Sequence, residues 1–350
     1  QLNQTIGENA RDIRPHIFTA VPRVVEKLYE KLVHQGRNLS GVKRQIFFSA
    51  IRHAENYRLQ QNGWWYKQKR QIYDKLVYSR WREALGGELT TIVSGSAPLS
   101  PRLQRIFTAA GIPVLEGYGL TETSPVVSVN RYEVENRQIG TVGPPIPGCD
   151  VKVDEDGEVL VKGPNIMMGY YRDEAATKNA IDEYGWFYTG DIGSFDGQFL
   201  SITDRKDDLF KTSGGKFIAP GPIENRLRES LMIDNAMVVG KNRELPGVLI
   251  IPDFEELKDW CAQHNIGYES PEKVVRKRPV IQAFQKQVRQ VNRSLSKSQQ
   301  IKRLKLLPRS LSQDEGELTP SLKIKRPIVA YHFQDEIEEM YRDEEKTQRV

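Results

Sequence analysis

Two cysteines in 350 residues are too few for a disulfide framework, and Cys149 and Cys261 lack the short spacing of a metal-ligand pair. A stapled secreted scaffold is thereby excluded, and a reducing compartment is expected. No apolar run approaches the ~20 residues of a membrane-spanning helix, and no leader-like segment opens the chain. The five histidines show no pairing, so the pattern offers no His-based catalytic centre. His16, in "PHIFTAVP", is the only one beside a motif and receives no role. The location expected is the cytoplasm, with a peripheral seat at the inner face of a membrane as the alternative. Internal repeats and low-complexity linkers are also missing, so any domain boundary is a hinge and not a tether. The chain opens without methionine, as "QLNQTIGENARDIRPHIFTAVP", and reads as a fragment of a longer protein, with processing as the alternative.

What is present is ordinary for a globular protein: 38% hydrophobic and 28% charged residues, with a formal net charge of +5. That excess suits nucleic acid, an anionic membrane surface or polyanionic small substrates. The basic residues are interleaved with Asp and Glu and no recognition module occurs, so nucleic acid is not expected as a partner. The length predicts more than one domain.

Along the chain, "HIFTAV" reads as a strand and "PRVVEKLYEKLVHQ" as a helix begun by Pro22, with Val25, Leu28 and Leu32 at helical spacing. Residues 43–84 read as helical, and their aromatics Trp64, Trp65, Tyr66, Tyr73 and Trp81 as packing. "LTTIVSG" and "IPVLEGYG" are strands on either side of a helix, "PRLQRIFTAAG", which sets Leu103, Ile106, Phe107 and Ala110 on one face and stops at Gly111. Strand, helix, strand with short links predicts a parallel α/β layer. Beyond residue 130 the pattern alternates: Val151 and Val153 are answered by Val159 and Val161 across "DEDG", and a second hairpin turns at "FDGQ". From about residue 208 the chain is more basic and helical. It holds helices at "PIENRLRES" and "DFEELKDWCAQHN", a long polar helix over 271–298, short strands at "AMVVG" and "VLIIP", and a terminal amphipathic helix. Ile328, Tyr331, Ile337, Met340 and Tyr341 of that helix are read as packing on the C-terminal domain, with membrane contact as the alternative.

The chemistry is concentrated at "EGYGLTETSP". Gly117 and Gly119 admit close backbone approach, and successive N–H groups can face phosphate oxygens. Thr121 and Thr123 carry hydroxyls, Glu122 is a hard oxygen ligand of the kind Mg²⁺ takes, and Tyr118 can stack on a base. Taken alone, the string is as well explained by a capped βα turn. "SGSAPLS" (Ser94–Ser100) is a second Gly/Ser turn at a strand end, at the sheet edge where open α/β sheets bind ligands. Asp191, between glycines in "GWFYTGDIG", suits two ribose hydroxyls or merely a β-turn. Lys323, in "ELTPSLKIKR", can bring a point charge to a phosphate or simply be exposed.

The ordered series "GSAPLS … GYGLTETSP … GTVGPPIPG … GEVLVKGPNIMMGYY … GWFYTGDIG … DRKDDLFKTSGGKFIAP … LTPSLKIKR" resembles the adenylate-forming, AMP-binding superfamily. Within it, "PHIFTAVPRVVEKLYEKL", "KLVYSRWREALGG" and "LTPSLKIKR" look like the long-chain fatty acyl-CoA synthetase branch. The likeness runs from about residue 15 to 342. It implies the end of a large α/β domain (1–130), a β-rich subdomain of that domain (131–206) and a small mobile α+β lid (207–350) hinged at Asp207. It implies a two-step reaction: a fatty acid attacks the α-phosphate of ATP, and the acyl-adenylate is then taken by the thiol of coenzyme A. By the same likeness Glu122 holds Mg²⁺ and Thr121 touches phosphate. Tyr118 packs on adenine opposite the Gly95–Ser96–Ala97 turn, Asp191 and Arg205 hold the ribose, and Lys323 serves adenylation. Lys211, Gly214, Gly215 and Lys216 would accompany the phosphopantetheine arm. A fatty acid is already ionised at neutral pH, so no general base is called for.

One family feature is missing. The Thr/Ser/Gly-rich loop ending Pro-Lys-Gly, which would hold the β- and γ-phosphates, does not occur, and much of the acyl pocket would go with it. The resemblance thus implies a C-terminal portion that by itself binds ATP poorly and does not turn over. Two alternatives accompany the CoA reading. One is transfer to an acyl carrier protein, which the basic run Lys302, Arg303, Lys305 and Arg309 would suit, as it would equally suit the 3′-phosphate of CoA; the other is a non-catalytic remnant, against which the joint retention of Glu122, Asp191, Arg205 and Lys323 argues. Acyl chain length and oligomeric state are not legible.

Overall fold

The computed structural model describes residues 9–342. The chain divides into two compact units, Gln1–Ile202 and Thr203–Val350.

In the first unit, β1 (Ile17–Ala20), β2 (Thr91–Ser94) and β3 (Val114–Gly119) form parallel neighbours, with Ile17 opposite Thr91 and Ile92 opposite Val114. The helices between them are α1 (Pro22–Arg37), α2 (Gly41–Ala54), α3 (Trp64–Tyr73), α4 (Ser79–Ala84) and α5 (Pro101–Ala109). Pro22 sits in the first turn of α1, where its missing N–H costs nothing, and Val25, Leu28 and Leu32 are buried. In α5 the Ser100 hydroxyl accepts from the Arg102 N–H at 3.2 Å, capping the helix start. Leu103, Ile106 and Phe107 on its inner face are buried, each stabilising by about 1.5–3 kcal/mol. Gly111 closes the helix at φ +83, a conformation that favours glycine.

The helical reading of 43–84 needs correction. Residues 55–63 are not helical, and a π turn at Asp74–Tyr78 separates α3 from α4. The wider turn re-aims the face that follows: Tyr78 and Trp81 point inward, and the Tyr78 hydroxyl donates to Ala50 O at 2.8 Å. Packing therefore describes Trp81 but not Trp64 and Trp65, which are 62% and 75% exposed. Helix α3 meets α2 through other residues, with Tyr66 stacked on His53 at 3.9 Å between ring centroids.

A strand that the alternation did not predict, β4 (Val126–Val129), runs antiparallel to β3. Beyond it, β5 (Asp150–Val153), β6 (Glu158–Lys162), β7 (Phe187–Asp196) and β8 (Phe199–Arg205) form a second sheet in that order, flanked by α6 (Glu174–Ala180). The first hairpin has the expected register, Val151 opposite Val161 and Val153 opposite Val159. Val127, Val142, Cys149, Val159, Val161 and Leu200 make its core. Both cysteines are free and buried.

The second unit contains the short hairpin β9 (Phe210–Lys211) and β10 (Phe217–Ile218), then α7 (Pro220–Leu227), β11 (Ile233–Val239) and β12 (Gly247–Pro252). Helices α8 (Phe254–Gln263), α9 (Pro271–Val274) and α10 (Arg278–Asn292) lead to β13 (Arg303–Leu306), α11 (Arg326–His332) and α12 (Gln334–Arg342). Strand β12 is buried along its whole length and feeds two cores: Val248 and Ile250 join one cluster, Leu249 and Ile251 the other. The single helix expected over 271–298 is two. Pro279 in the first turn of α10 cannot supply an amide to a preceding turn, so the helix restarts there. Val280, Phe284 and Val288 bury one face of α10, so it is amphipathic rather than polar. The terminal helix also breaks, at Phe333, which turns into the core with Val329. Met340 is buried and Ile337 and Tyr341 are half-buried, as packing on this unit requires, whereas Tyr331 is 76% exposed. No helix among the described residues is long and apolar enough to cross a membrane.

Candidate nucleotide site

Strand β3 delivers its residues to a tightly closed loop. A Cβ on Gly119 would lie 1.7 Å from Pro125 O, so only glycine allows the chain to fold back here. The buried Thr123 hydroxyl stitches the turn. It donates towards Pro125 O at 2.8 Å and Leu120 O at 3.0 Å and accepts from the Leu120 N–H at 2.9 Å. Ser124 adopts φ +52 to complete it. This places Thr121 at the surface and Glu122 half-buried beside it. The Met167 N–H donates to Glu122 O at 2.8 Å, and the Tyr170 hydroxyl donates to Glu122 Oε1 at 3.2 Å. Tyr170 received no role from sequence, although it lies in "NIMMGYY" of the ordered series.

The second Gly/Ser turn packs directly on β3. Ser96 takes φ +72, and a Cβ on Gly95 would stand 3.4 Å from Gly117 O. The latch between the two loops is Glu116, which the sequence reading passed over. Its buried carboxylate accepts from the Leu99 N–H at 3.0 Å and from Gln104 Nε2 at 2.5 Å, and Gln104 Oε1 accepts from the Gly140 N–H at 2.8 Å. Burial pushes the Glu116 pKa up to about 8, opposed by those two donors. The signal was a Glu inside the otherwise apolar run "PVLEGYG", where an inward polar group needs partners.

Asp191 sits in β7, nearly inaccessible, where its N–H donates to Thr189 Oγ1 at 3.1 Å. The Tyr118 hydroxyl donates to Asp191 Oδ2 at 2.7 Å. The residue read as the adenine platform and the one read as the ribose acid, 73 positions apart, thus meet in one unit. Glu158 accepts from the Gly190 N–H at 2.9 Å and fixes the turn beside Asp191.

The remaining candidates belong to the second unit. Arg205 ends β8 and is exposed, followed by exposed Asp207. Asp204, the residue before Arg205 in β8, accepts from the Gly221 N–H at 2.9 Å, and its pKa is raised to about 6 by burial. Lys211 lies over the Phe217 ring at 4.5 Å, and the Gly214–Gly215 turn closes with the Gly215 N–H donating to Thr212 O at 2.9 Å. Lys323 is exposed on a tight turn: its N–H donates to Thr319 Oγ1 at 3.0 Å, the Thr319 N–H to Lys323 O at 2.8 Å, and Leu322 takes φ +64. The loop holding this lysine is therefore a closed turn.

The basic run offered for an acidic carrier is largely occupied. Lys305 pairs with Glu339 at 2.6 Å, Arg309 with Glu317 at 2.6 Å, and Arg303 donates to Met340 O at 3.1 Å.

Residues 3–171 match the AMP-binding enzyme family and residues 207–345 match the AMP-binding enzyme C-terminal domain; the chain belongs to the adenylate-forming, AMP-binding enzymes. It is similar to the long-chain fatty-acid–CoA ligase FadD15 of Mycobacterium bovis, 37% identical over 95% of this chain and 55% of that protein. It is also similar to the peroxisomal long chain acyl-CoA synthetase 6 of Arabidopsis thaliana, 32% identical over 97% of this chain and 50% of that one. The chain thus spans about half the length of these relatives. Its fold is that of the adenylation domain of a carboxylate reductase from Mycobacterium chelonae, with a TM-score of 0.71 at 22% identity over 97% of this chain and 48% of that one. A carboxylic acid reductase didomain from Segniliparus rugosus, in complex with AMP, gives a TM-score of 0.67 at 23% identity over 97% and 43%.

Proposed function

We propose that the protein is a fatty acid–CoA ligase that forms an acyl-adenylate from ATP and a fatty acid and then passes the acyl group to the thiol of coenzyme A. The observation that carries this reading is the Tyr118–Asp191 contact at 2.7 Å beside the Glu122 loop. It joins an aromatic face for the base, a carboxylate for the ribose hydroxyls and a carboxylate for phosphate-bound metal. Thr121 supplies a hydroxyl to phosphate, and the Gly95–Ser96–Ala97 turn lines the other side of the base.

In the first step a fatty-acid oxygen attacks the α-phosphorus and pyrophosphate leaves. In the second the CoA sulfur attacks the acyl carbon and AMP leaves. Attack on an anion by an anion requires positive charge at the oxygens, which Lys323 brings as an ammonium. Glu122 would hold Mg²⁺. No group of three or more His, Cys, Asp or Glu side chains among the described residues could cage a metal. One carboxylate together with substrate phosphates and water is a donor set that Mg²⁺ accepts. When bound, the ion offsets phosphate charge.

The domain bounds 1–130, 131–206 and 207–350, the hinge at Asp207 and the ribose contact of Arg205 belong to the same reading. So does the path of the pantetheine arm along Lys211, Gly214, Gly215 and Lys216. CoA is preferred to a carrier protein as acceptor on the likeness to the fatty-acid–CoA ligases; the pairing of Lys305 and Arg309 with Glu339 and Glu317 withdraws the basic run as support for either acceptor. With the protein in its full encoded length, incubation with ATP, Mg²⁺, a fatty acid and CoA yields acyl-CoA, AMP and pyrophosphate. Release of ADP, or acylation of a carrier protein but not of CoA, overturns the proposal.

A further inference from the structure

The turn that carries Lys323 is tied to a buried ion-pair node. Glu317 is completely buried, a costly place for a carboxylate unless every lone pair is answered. Here four donors answer them. Arg309 gives a two-pronged pair, Nη2 to Oε1 at 2.6 Å and Nη1 to Oε2 at 2.8 Å. His332 Nδ1 lies 2.9 Å from Oε1, and the Ser312 N–H donates to Oε2 at 2.9 Å. Arg309 in turn lies over the Phe333 ring at 4.9 Å.

The backbone of Glu317 continues straight into the lysine turn. Its carbonyl accepts from the Lys325 N–H at 2.8 Å, Leu318 bridges Ile324, and Thr319 exchanges bonds with Lys323. The node therefore holds both legs of the turn at its base. Its partners come from the segment after β13 and from the end of α11, so the turn is fixed to the body of the unit from both sides. An ammonium that must meet an α-phosphate loses effect steeply when its base shifts, since a ~1 Å misplacement costs about a hundredfold.

We infer that Glu317, clamped by Arg309 and His332, is the positioning residue that sets Lys323 for the adenylation half-reaction. The inference rests on the adenylation role proposed for Lys323. Its consequence is selective: the thiol half-reaction, which on that reading does not use Lys323, should not feel the clamp.

The test uses the full-length protein and measures two rates: fatty-acid-dependent pyrophosphate exchange into ATP, and acyl-CoA formation from supplied acyl-adenylate and CoA. Lys323→Ala serves as reference. Glu317→Gln is expected to lower exchange by roughly ten- to a hundredfold and to leave the thiol step within twofold of wild type. His332→Gln keeps the Arg309–Glu317 pair and should lower exchange less, in the same selective way. Equal losses in both rates, or loss in neither, overturn the positioning role. If Glu317→Gln does not fold, the same criteria apply to His332→Gln. If Lys323→Ala itself leaves exchange intact, the failure lies in the proposed role of Lys323. If Lys323→Ala abolishes exchange while the clamp variants do not, it lies in this inference.

Discussion

Glu116 offers a pH-dependent stability that can be worked from its surroundings. Its carboxyl is buried and its pKa rises from 4.5 to about 8. Between those values the native state keeps a proton that the unfolded chain has released. Stability from this group is therefore full below about pH 4.5 and is lost as the pH rises to about 8. At ~1.4 kcal/mol per pH unit the swing is about 5 kcal/mol at most. Replacement by Gln removes the titration but sets an amide NH₂ against one of two donors, the Leu99 N–H or Gln104 Nε2, at a cost of about 1–3 kcal/mol. Urea unfolding from pH 5 to 9 should show Glu116→Gln less stable than wild type at pH 5, with the gap closing and then reversing towards pH 9. A gap that stays constant across that range refutes the argument that burial governs this carboxyl.

Gly119→Ala should unfold the loop between β3 and β4, because its Cβ would overlap Pro125 O. The urea midpoint should fall by the equivalent of about 1–3 kcal/mol and nucleotide binding should be lost, both readable in one titration. Asp191→Asn should raise the KM for ATP roughly tenfold or more, as losing a charged hydrogen-bond acceptor costs about 1.5–3 kcal/mol. Tyr118→Phe removes the bond to Asp191 and should cost about 1 kcal/mol; a loss as large as that of Asp191→Asn would mean that Tyr118 does more than orient Asp191. Glu317 titrates in the opposite sense to Glu116. Burial pushes its pKa up, but Arg309, His332 and the Ser312 N–H outweigh that and hold it at about 2. Its contribution is present above about pH 4.5 and is lost as the pH falls towards 2, which acid unfolding of wild type against Glu317→Gln would reveal.

The parts legible in sequence were those fixed by local periodicity. Pro22, the α5 face and the Val151/Val161 register each follow from spacing that no tertiary contact contradicts. The parts that failed depend on what lies across the fold. The π turn at Asp74–Tyr78 decides which aromatics face inward, and nothing in "QIYDKLVYSRW" announces an extra residue in a turn. β4 is set by pairing with β3 and by the closure at Gly119, which is a tertiary event. At the site, Tyr118, Asp191 and Glu122 were identifiable as residue types in an ordered series. The groups that brace the loops, Glu116 and Tyr170 here and Glu317 at the base of the Lys323 turn, were not, because a buried carboxyl or an anchoring hydroxyl is recognisable only once its donors and acceptors are in place.

The central claim is that this chain carries the residues of an acyl-adenylate-forming site, and the most direct measurement is exchange of radiolabelled pyrophosphate into ATP by the full-length protein in the absence of CoA. Exchange should require both fatty acid and Mg²⁺, should need roughly tenfold more ATP in Asp191→Asn and should collapse in Lys323→Ala. Exchange that is absent without CoA, or that proceeds without a fatty acid, would contradict it.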